Sequence, residues 1–390
     1  MVEERLLLLL LLSIGLIAAS TEVAEVAEIA VDPDVGKNAP EIIAARGYVV
    51  ETHKVTTSDD YILTMHRLPK SYDESQSSAA AAANKPAVLV QHGIIESSFA
   101  WVCNYRNQSL AFVLADAGYD VWLGNSRGNT YSNESIHYTT DDDEFWDFSW
   151  EDMRLYDLPA MINYVRDTSG GPTISYVGHS QGVTQALVGF AANQTLAKSV
   201  SYFGALAPVS WLGHSKAELF VALADAHLDL LSEGLGFVKL LAHNELLTKF
   251  LSGYTCTAID DMCGSAISLL FGTTTSLNDI AHFAQGIRED TLARFDYGCS
   301  CVQALGLSLC ASAICPNKAK YGAFAPPAYA LGDMPADLEH LRSSLPSGTV
   351  VHDKTIDIYS HLDFIWAYNA NDYVYQDLIA QLATYEGVAY

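Results

Sequence analysis

The stretch that most constrains the fold runs from Thr173 to Phe190 and reads TISYVGHSQGVTQALVGF. A short β-prone run precedes its central Gly-His-Ser-Gln-Gly, and residues that favour or tolerate a helix follow it. Ser180 therefore lies at the tip of a sharp strand-to-helix turn. Such a turn demands a positive φ at the serine and leaves no room for a Cβ on either flank, which explains Gly178 and Gly182. The pattern is that of a nucleophile elbow, which presents a serine hydroxyl at the head of a helix.

A second chemical feature follows the apolar run Ala87 to Val90, which predicts a buried strand leading into Gln-His-Gly-Ile-Ile. In enzymes with a serine elbow, the loop after this early strand supplies one backbone N–H of the oxyanion hole, and the residue after the nucleophile supplies the other. We therefore expect the amides of Ile94 and Gln181 to bind the oxyanion, each contributing about 3 kcal/mol. His92 is interpreted as a structural histidine that packs this loop.

Strands and helices alternate along much of the chain. This order predicts an α/β fold with a mostly parallel central sheet covered by helices. Tyr48 to Thr57 and Tyr61 to Leu68 are expected to form a hairpin, and Ser71 to Lys85 a surface loop. The remaining predicted elements are a helix at Glu41 to Arg46, a helix at Ser109 to Ala117, a strand at Tyr119 to Leu123, a long helix within Phe145 to Val165 and a strand at Phe203 to Leu206.

The N-terminus predicts delivery into an oxidising compartment. Leu6 to Ala18 is an apolar run followed by small residues, which is typical of a signal peptide, although Glu3 and Glu4 depart from the usual positive start. Seven cysteines predict three disulfides, and Cys103 is expected to be the free thiol. The cysteine spacings do not match a zinc site. Three N-x-S/T sequons, at Asn107, Asn133 and Asn193, predict glycosylation once secretion is accepted.

The chain carries 46 acidic and 21 basic residues, for a formal net charge of −25. It has no cluster of lysine and arginine, so no nucleic-acid partner is expected. An acidic surface repels anionic interfaces at neutral pH and repels them less once carboxylates are protonated, so we expect better action on lipid at acidic pH.

Several long motifs together resemble a known family, the acid lipases, which include the gastric and lysosomal acid lipases and their plant, fungal and protist relatives. The resemblance covers nearly everything from Pro40 to the C-terminus and is far more specific than the pentapeptide alone. It rests, in this order, on GYVVETHKVTTSDDYILTMHRLP, LVQHGIIESSFAWV, LADAGYDVWLGNSRGNTYS, EFWDFSWEDMRLYDLPA, GHSQG, LAPVSWLGH and HLDFIW.

The resemblance implies an α/β-hydrolase fold with a helical cap and a Ser-His-Asp triad. Ser180 is then the nucleophile, His361 the base, and Ile94 and Gln181 the oxyanion donors. His361 would take the proton of Ser180, an acyl-enzyme would form, and water would release the fatty acid. The implied substrates are triacylglycerols or steryl esters at a lipid interface, in a secreted or lysosomal/vacuolar protein that needs no cofactor and no metal.

The expected organisation has five segments. Most of the apolar surface of the leucine-rich cap is interpreted as cap core, and some of it as facing an acyl chain or lipid at a membrane or lipid-droplet surface. Cys256 with Cys263 would staple the cap, as similar cysteines do in the family. The segments are a signal peptide at 1–20, a flexible tail at 21–39, the first part of the hydrolase core at 40–209, the cap at 210–296 and the second part of the core at 297–390, with a cysteine-rich insertion.

The chain departs from the family where the triad acid should lie. Between Pro326 and His361 the apolar strand expected before the acid is missing, and the segment is roughly 15 residues too short. Asp333 matches the acid best by spacing, and Asp337 is the runner-up. Since the segment around them equally matches the stretch before the missing strand, the alternative is a catalytically impaired, lipid-binding member of the family. An aspartate-nucleophile hydrolase is disfavoured because Ser180 occupies the elbow.

Overall fold

The computed structural model describes residues 33–213, 224, 239–240, 275–298, 301–304, 307–310, 315–329 and 337–388. The chain forms two compact units, Met1–Gly36 and Lys37–Tyr390, and all of the described helices and strands belong to the second. The expected signal peptide and the paired Cys256 and Cys263 lie outside the described residues, as do most of the expected cap and Asp333. No helix within these ranges is long and apolar enough to cross a membrane.

The main sheet has seven strands in the described ranges, in the order β1-β2-β4-β3-β6-β7 with β5 paired to β2. Neighbours from β4 through β3 and β6 to β7 are parallel, whereas β1, β2 and β4 pair antiparallel, so the predicted hairpin and the predicted parallel sheet are both confirmed. The strands are β1 (Glu51–Thr56), β2 (Tyr61–Leu68), β3 (Ala87–Gln91), β4 (Asp120–Leu123), β5 (Glu134–Ser135), β6 (Ile174–His179), β7 (Val200–Leu206), β8 (Lys239–Leu240), β9 (Thr275–Ser276), β10 (Cys301–Ala304) and β11 (Leu307–Cys310).

The helices lie largely where the periodicity predicts them. They are α1 (Ala39–Ala45), α2 (Tyr72–Ser75), α3 (Leu110–Asp116), α4 (Trp150–Asp152), α5 (Leu158–Ser169), α6 (Gln181–Ala192), α7 (Gln194–Ala197), α8 (Leu277–Glu289), α9 (Pro316–Tyr321), α10 (Asp337–Ser344), α11 (Asp363–Trp366) and α12 (Gln376–Tyr385).

Both faces of the sheet are buried, because side chains of the central strands alternate between two apolar cores. On β3, Leu89 packs into one core, whereas Val88 and Val90 pack into the other. On β6, Tyr176 and Val177 divide in the same way. The near-continuous apolar runs of these strands therefore reflect a sheet covered on both sides, as expected for the α/β class.

Two local predictions needed correction. The Ser/Ala-rich stretch was expected to be loop throughout, but it begins with α2, because Ser71 and Glu74 form a capping box that nucleates one helical turn. The long helix after Phe145 is not uniform, since a π-helical turn at Met153–Asp157 joins α4 to α5. Pro159 follows in the first turn of α5, where its missing N–H disrupts no hydrogen bond of that helix.

The sheet ends at β7 among the described residues, and this bears on the missing acid strand. Residues 345–362 form neither helix nor strand. Val350 and Val351 are 44% and 48% exposed, although adjacent valines are typical of a strand. The segment leading to His361 is therefore not paired with the sheet.

The cysteines are partly described. Cys103 is free, as expected, and Cys315 is disulfide-bonded. The hairpin of β10 and β11 places Cys301 opposite Cys310 in its register. The three sequon asparagines are all exposed, as an attached glycan would require.

Candidate active site

The turn at Ser180 has the geometry of a nucleophile elbow. Ser180 lies between β6 and α6 with φ +53° and ψ −118°, a strained conformation for a residue with a side chain. A Cβ on Gly178 would come within 2.7 Å of the backbone of Gly182, and a Cβ on Gly182 within 2.5 Å of the carbonyl oxygen of Gln91. Both the positive φ at the serine and the need for glycine on its two flanks are thus confirmed.

The loop after β3 packs directly against Ser180. A Cβ added to Gly93 would lie 2.9 Å from the Cβ of Ser180, so this glycine permits the approach. Ile95 in the same loop has φ +51°, a costly conformation for a β-branched residue. Gly93, Ile94 and Gln181 line one small cavity. The two expected oxyanion donors therefore lie on neighbouring segments.

His92 holds the loop through both of its ring nitrogens. It is buried, with one ring nitrogen 2.7 Å from the Gly93 carbonyl and the other 3.1 Å from the backbone N–H of Ser126. The Ser126 contact makes Nε2 an acceptor, so Nδ1 carries the proton and donates to Gly93. Burial lowers the pKa of His92 and keeps the ring neutral. These contacts agree with the structural role expected for His92.

Glu96 and His179 form a buried pair beside the nucleophile. Glu96 is 9% exposed and His179 is fully buried, and the His179 Nδ1 lies 3.3 Å from the carboxylate. Glu96 also accepts the backbone N–H of Gly93 at 2.7 Å. Although burial alone would raise the pKa of Glu96 and lower that of His179, their mutual attraction reverses both directions. The pair could not be predicted from the sequence, where the lone acidic residue in the stretch QHGIIESSFAWV was the available signal.

His361 lies on the turn before α11, near the elbow. Its backbone carbonyl accepts a hydrogen bond from His179 Nε2 at 3.0 Å, and the two ring centroids are 4.9 Å apart. The residue keeps contact with solvent, but partial desolvation of its ring and the charge of His179 lower the pKa of His361. A lowered pKa keeps the imidazole neutral, which is the form able to accept a proton.

The third triad member is not located by the structure. Asp333 lies outside the described residues, and Asp337 begins α10. Within the described ranges, no carboxylate is hydrogen-bonded to the ring of His361. Asp363, two residues along the chain, binds the backbone N–H and the hydroxyl of Ser360 instead.

A buried carboxylate from a later segment contacts the residue that follows Ser180. Asp279 on α8 is fully buried and accepts hydrogen bonds from the Gln181 side chain at 3.1 and 3.2 Å and from the Thr275 hydroxyl at 3.0 Å. Burial raises the pKa of Asp279 to about 7, and these hydrogen bonds counter the increase in part. Sequence reasoning gave no sign of this contact, because it joins residues 98 positions apart.

The loop after β4 is held by a buried ionic network. Arg127, 2% exposed, binds Asp157 through its side chain at 2.8 Å and its backbone N–H at 3.0 Å. The guanidinium also forms a two-point contact with Asp59 at 2.6 and 2.9 Å. This network joins the β1–β2 turn, the loop after β4 and the π-helical turn into one support beneath the site.

An elbow serine at the end of a central strand, faced by a backbone loop from a neighbouring strand, defines an α/β hydrolase. The family described as "alpha/beta hydrolase fold" matches residues 86–214, and that described as "Partial alpha/beta-hydrolase lipase region" matches residues 39–105.

Named relatives identify the family of this chain within the α/β hydrolases. The chain is 33% identical to the gastric triacylglycerol lipases of Rattus norvegicus and Homo sapiens over 388 residues, which is 90% of this chain and 93% and 92% of theirs. It is also 33% identical, over 97% of its own length and 98% of the relative's, to a Crotalus adamanteus protein named as a lysosomal acid lipase/cholesteryl ester hydrolase. The chain belongs to the acid lipase family, and this membership places it among the carboxylic ester hydrolases.

Proposed function

We propose that this protein hydrolyses the carboxylic esters of lipids, triacylglycerols or steryl esters, with Ser180 as nucleophile and His361 as general base. The observation that carries the proposal is the strained φ of +53° at Ser180, between a buried strand and the head of α6. A residue is held in such a conformation when the surrounding structure imposes it, and such strain is concentrated at functional sites. The named relatives act on this class of substrate by their own descriptions.

The proposed chemistry gives each of these residues a role. Neutral His361 removes the hydroxyl proton of Ser180 as the oxygen attacks the ester carbonyl, and the amides of Ile94 and Gln181 stabilise the resulting oxyanion. The imidazolium then protonates the leaving alcohol, which gives an acyl-enzyme, and water releases the fatty acid by the same steps. Because the pKa of His361 is lowered, the base stays neutral into mildly acidic solution, which supports action at acidic pH.

Asp333 remains the proposed triad acid.

The second candidate function is that of a lipid-binding member of the family with impaired catalysis. It is favoured by the lack of a carboxylate bonded to His361 in the described ranges and by the unpaired segment before it. A triad without its acid loses about 10⁴ in kcat but keeps the nucleophile and oxyanion hole. Substrate binding would then survive.

We further propose that the protein is secreted or acts in the lysosomal or vacuolar lumen, where acidic conditions and disulfides are usual. The gastric and lysosomal names of its relatives and the disulfide at Cys315 support this location. We also propose that its cap contacts a lipid interface.

The test is hydrolysis of a triglyceride emulsion and of a soluble short-chain ester between about pH 4 and 9, with Ser180→Ala as control. Turnover by the wild type that the alanine variant lacks supports the enzyme, and alanine at Asp333 and then at Asp337 would identify the acid. A folded wild type no faster than Ser180→Ala, but able to bind lipid, would favour the second function.

A further inference from the structure

A single buried carboxylate links three segments of the proposed active site. Glu96 belongs to the loop after β3 and accepts the N–H of Gly93, which packs against the nucleophile. It also contacts His179, the last residue of β6, whose opposite ring nitrogen reaches the backbone of His361. The loop after β3, called the oxyanion loop (residues 92–96), the elbow and the segment that carries His361, called the base loop (residues 361–366), are thus joined by one continuous set of polar contacts.

The protonation state of His179 follows from its two partners. Nδ1 faces the Glu96 carboxylate and Nε2 faces the His361 carbonyl, and both partners only accept hydrogen bonds in these forms. A neutral imidazole has one N–H and would leave one of these contacts without a proton. With Glu96 ionised, as the lowered pKa of its carboxyl favours, the doubly protonated imidazolium satisfies both contacts, and Glu96 balances its charge in a buried position.

In a complete triad the acid orients the histidine through its ring. Among the described residues, the base is held through its backbone, because the His179 N–H binds the carbonyl of His361 itself. The bond comes from a charged donor, and such hydrogen bonds are roughly twice as strong as neutral ones. Glu96 keeps the donor charged, so its effect on the base is transmitted through His179.

We propose that Glu96 and His179 are positioning residues for ester hydrolysis, which hold the base loop and the oxyanion loop in register with Ser180. This inference rests on the proposed function. Glu96 acts through the backbone of Gly93, and His179 acts through both the backbone carbonyl and the ring of His361.

The pair also has an electrostatic effect on the base. The positive ring of His179 lies between Glu96 and His361, so the pair presents its positive end to the base and opposes formation of a second imidazolium. The other ionisable groups near the pair are His92, which burial keeps neutral, and the Cys103 thiol, whose pKa burial raises. Removing the charge of His179 should therefore raise the pKa of His361.

Two variants separate position from charge. His179→Gln keeps an N–H able to reach the His361 carbonyl but removes the charge. We expect kcat within about threefold of wild type, with the acid limb of the kcat/KM profile shifted upward by about half a pH unit or more. The double variant His179→Phe with Glu96→Gln removes both the hydrogen bond to the His361 carbonyl and the charge of His179, and it leaves no unpaired ion. We expect its kcat to fall about tenfold while KM stays within twofold.

The control is His53→Gln, because His53 forms a more exposed histidine–glutamate pair with Glu51 at 3.0 Å on β1. It should leave kcat and the pH profile unchanged. If His179→Gln leaves the acid limb where it is, or if the double variant keeps wild-type kcat or loses activity through KM, the proposal is overturned.

An NMR titration, which needs no enzymatic turnover, tests this inference independently of the proposed function. The ring signal of His361 in histidine-labelled protein, assigned with His361→Gln, reports its pKa by NMR titration. A rise in His179→Gln, but not in His53→Gln, supports the electrostatic arrangement even if the wild type proves inactive on esters. An unchanged His361 pKa refutes it, whatever the activity.

Discussion

Gly182→Ala tests whether the elbow and the oxyanion loop are as closely packed as the structure shows. The new Cβ would lie 2.5 Å from the Gln91 carbonyl oxygen and 2.9 Å from that of His92, where ordinary contacts begin at 3.4 Å. The shortfall at Gln91 is about 0.9 Å, and the atoms in the way are backbone atoms, which cannot rotate aside. The start of the oxyanion loop must therefore retreat from α6 by nearly 1 Å.

A retreat of this size moves the Ile94 amide away from the oxyanion. A misplacement of about 1 Å can reduce the rate 10²-fold, and loss of one oxyanion donor costs about 10² to 10³ in kcat. We expect kcat on a soluble ester to fall about 100-fold, with KM within a few-fold. The same overlap should destabilise the fold by about 1–3 kcal/mol, measurable by denaturant unfolding.

The matched control is Gly189→Ala, two turns further along the same helix. Its Cβ would meet a side-chain tip, Cδ2 of Leu158, at 2.5 Å, and the nearest backbone atom lies at 3.6 Å. A leucine can change rotamer, so this variant should keep its activity. If folded Gly182→Ala retained a third or more of wild-type kcat, the two segments could not be in the close contact described.

Two further predictions concern buried charges near the site. Asp279→Asn should raise the free energy of unfolding at pH 8 by on the order of 2 kcal/mol, and the difference from wild type should disappear toward pH 4. The reason is that a carboxyl whose pKa is raised to about 7 favours the folded state below the unfolded pKa and loses that advantage as pH rises to 7. A difference in thermal unfolding that stays the same at all pH values would contradict this. Arg127→Met should cost about 3–5 kcal/mol in denaturant unfolding at pH 7.5 by leaving Asp157 buried and unpaired, whereas Arg106→Met, at a more exposed pair, should cost less than about 1 kcal/mol. The Arg127→Met loss should shrink at pH 5, because burial raises the pKa of Asp157 to about 6 and the unpaired carboxyl can then take up a proton.

The parts of the site that could be predicted from sequence are those fixed by local backbone geometry. The positive φ at Ser180 and the lack of space beside Gly178 and Gly182 follow from the turn itself, so a few residues carry the whole signal. Glu96 and His179 could not be paired in this way, because they are 83 positions apart and meet only once β3 and β6 are neighbours. The same holds for Asp279, whose role depends on a helix that follows most of the expected cap.

Because the expected acid strand is missing, other contacts must hold the segment that carries His361. The base loop is anchored by His179 at the carbonyl of His361, by the Asn104 side chain at the carbonyl of Trp366, and by the Tyr375 hydroxyl at the carbonyl of Ile365. Tyr359 and Ser360, at the end of the segment where the acid strand was expected, also contact the residues that follow His361, because Tyr359 donates to Asn369 and Ser360 donates to Asp363. The other anchors belong to the elbow, the loop after β3 and the C-terminal helices. Losing the acid strand should consequently reduce the rate of proton transfer while leaving the nucleophile, the oxyanion loop and the base close to their places.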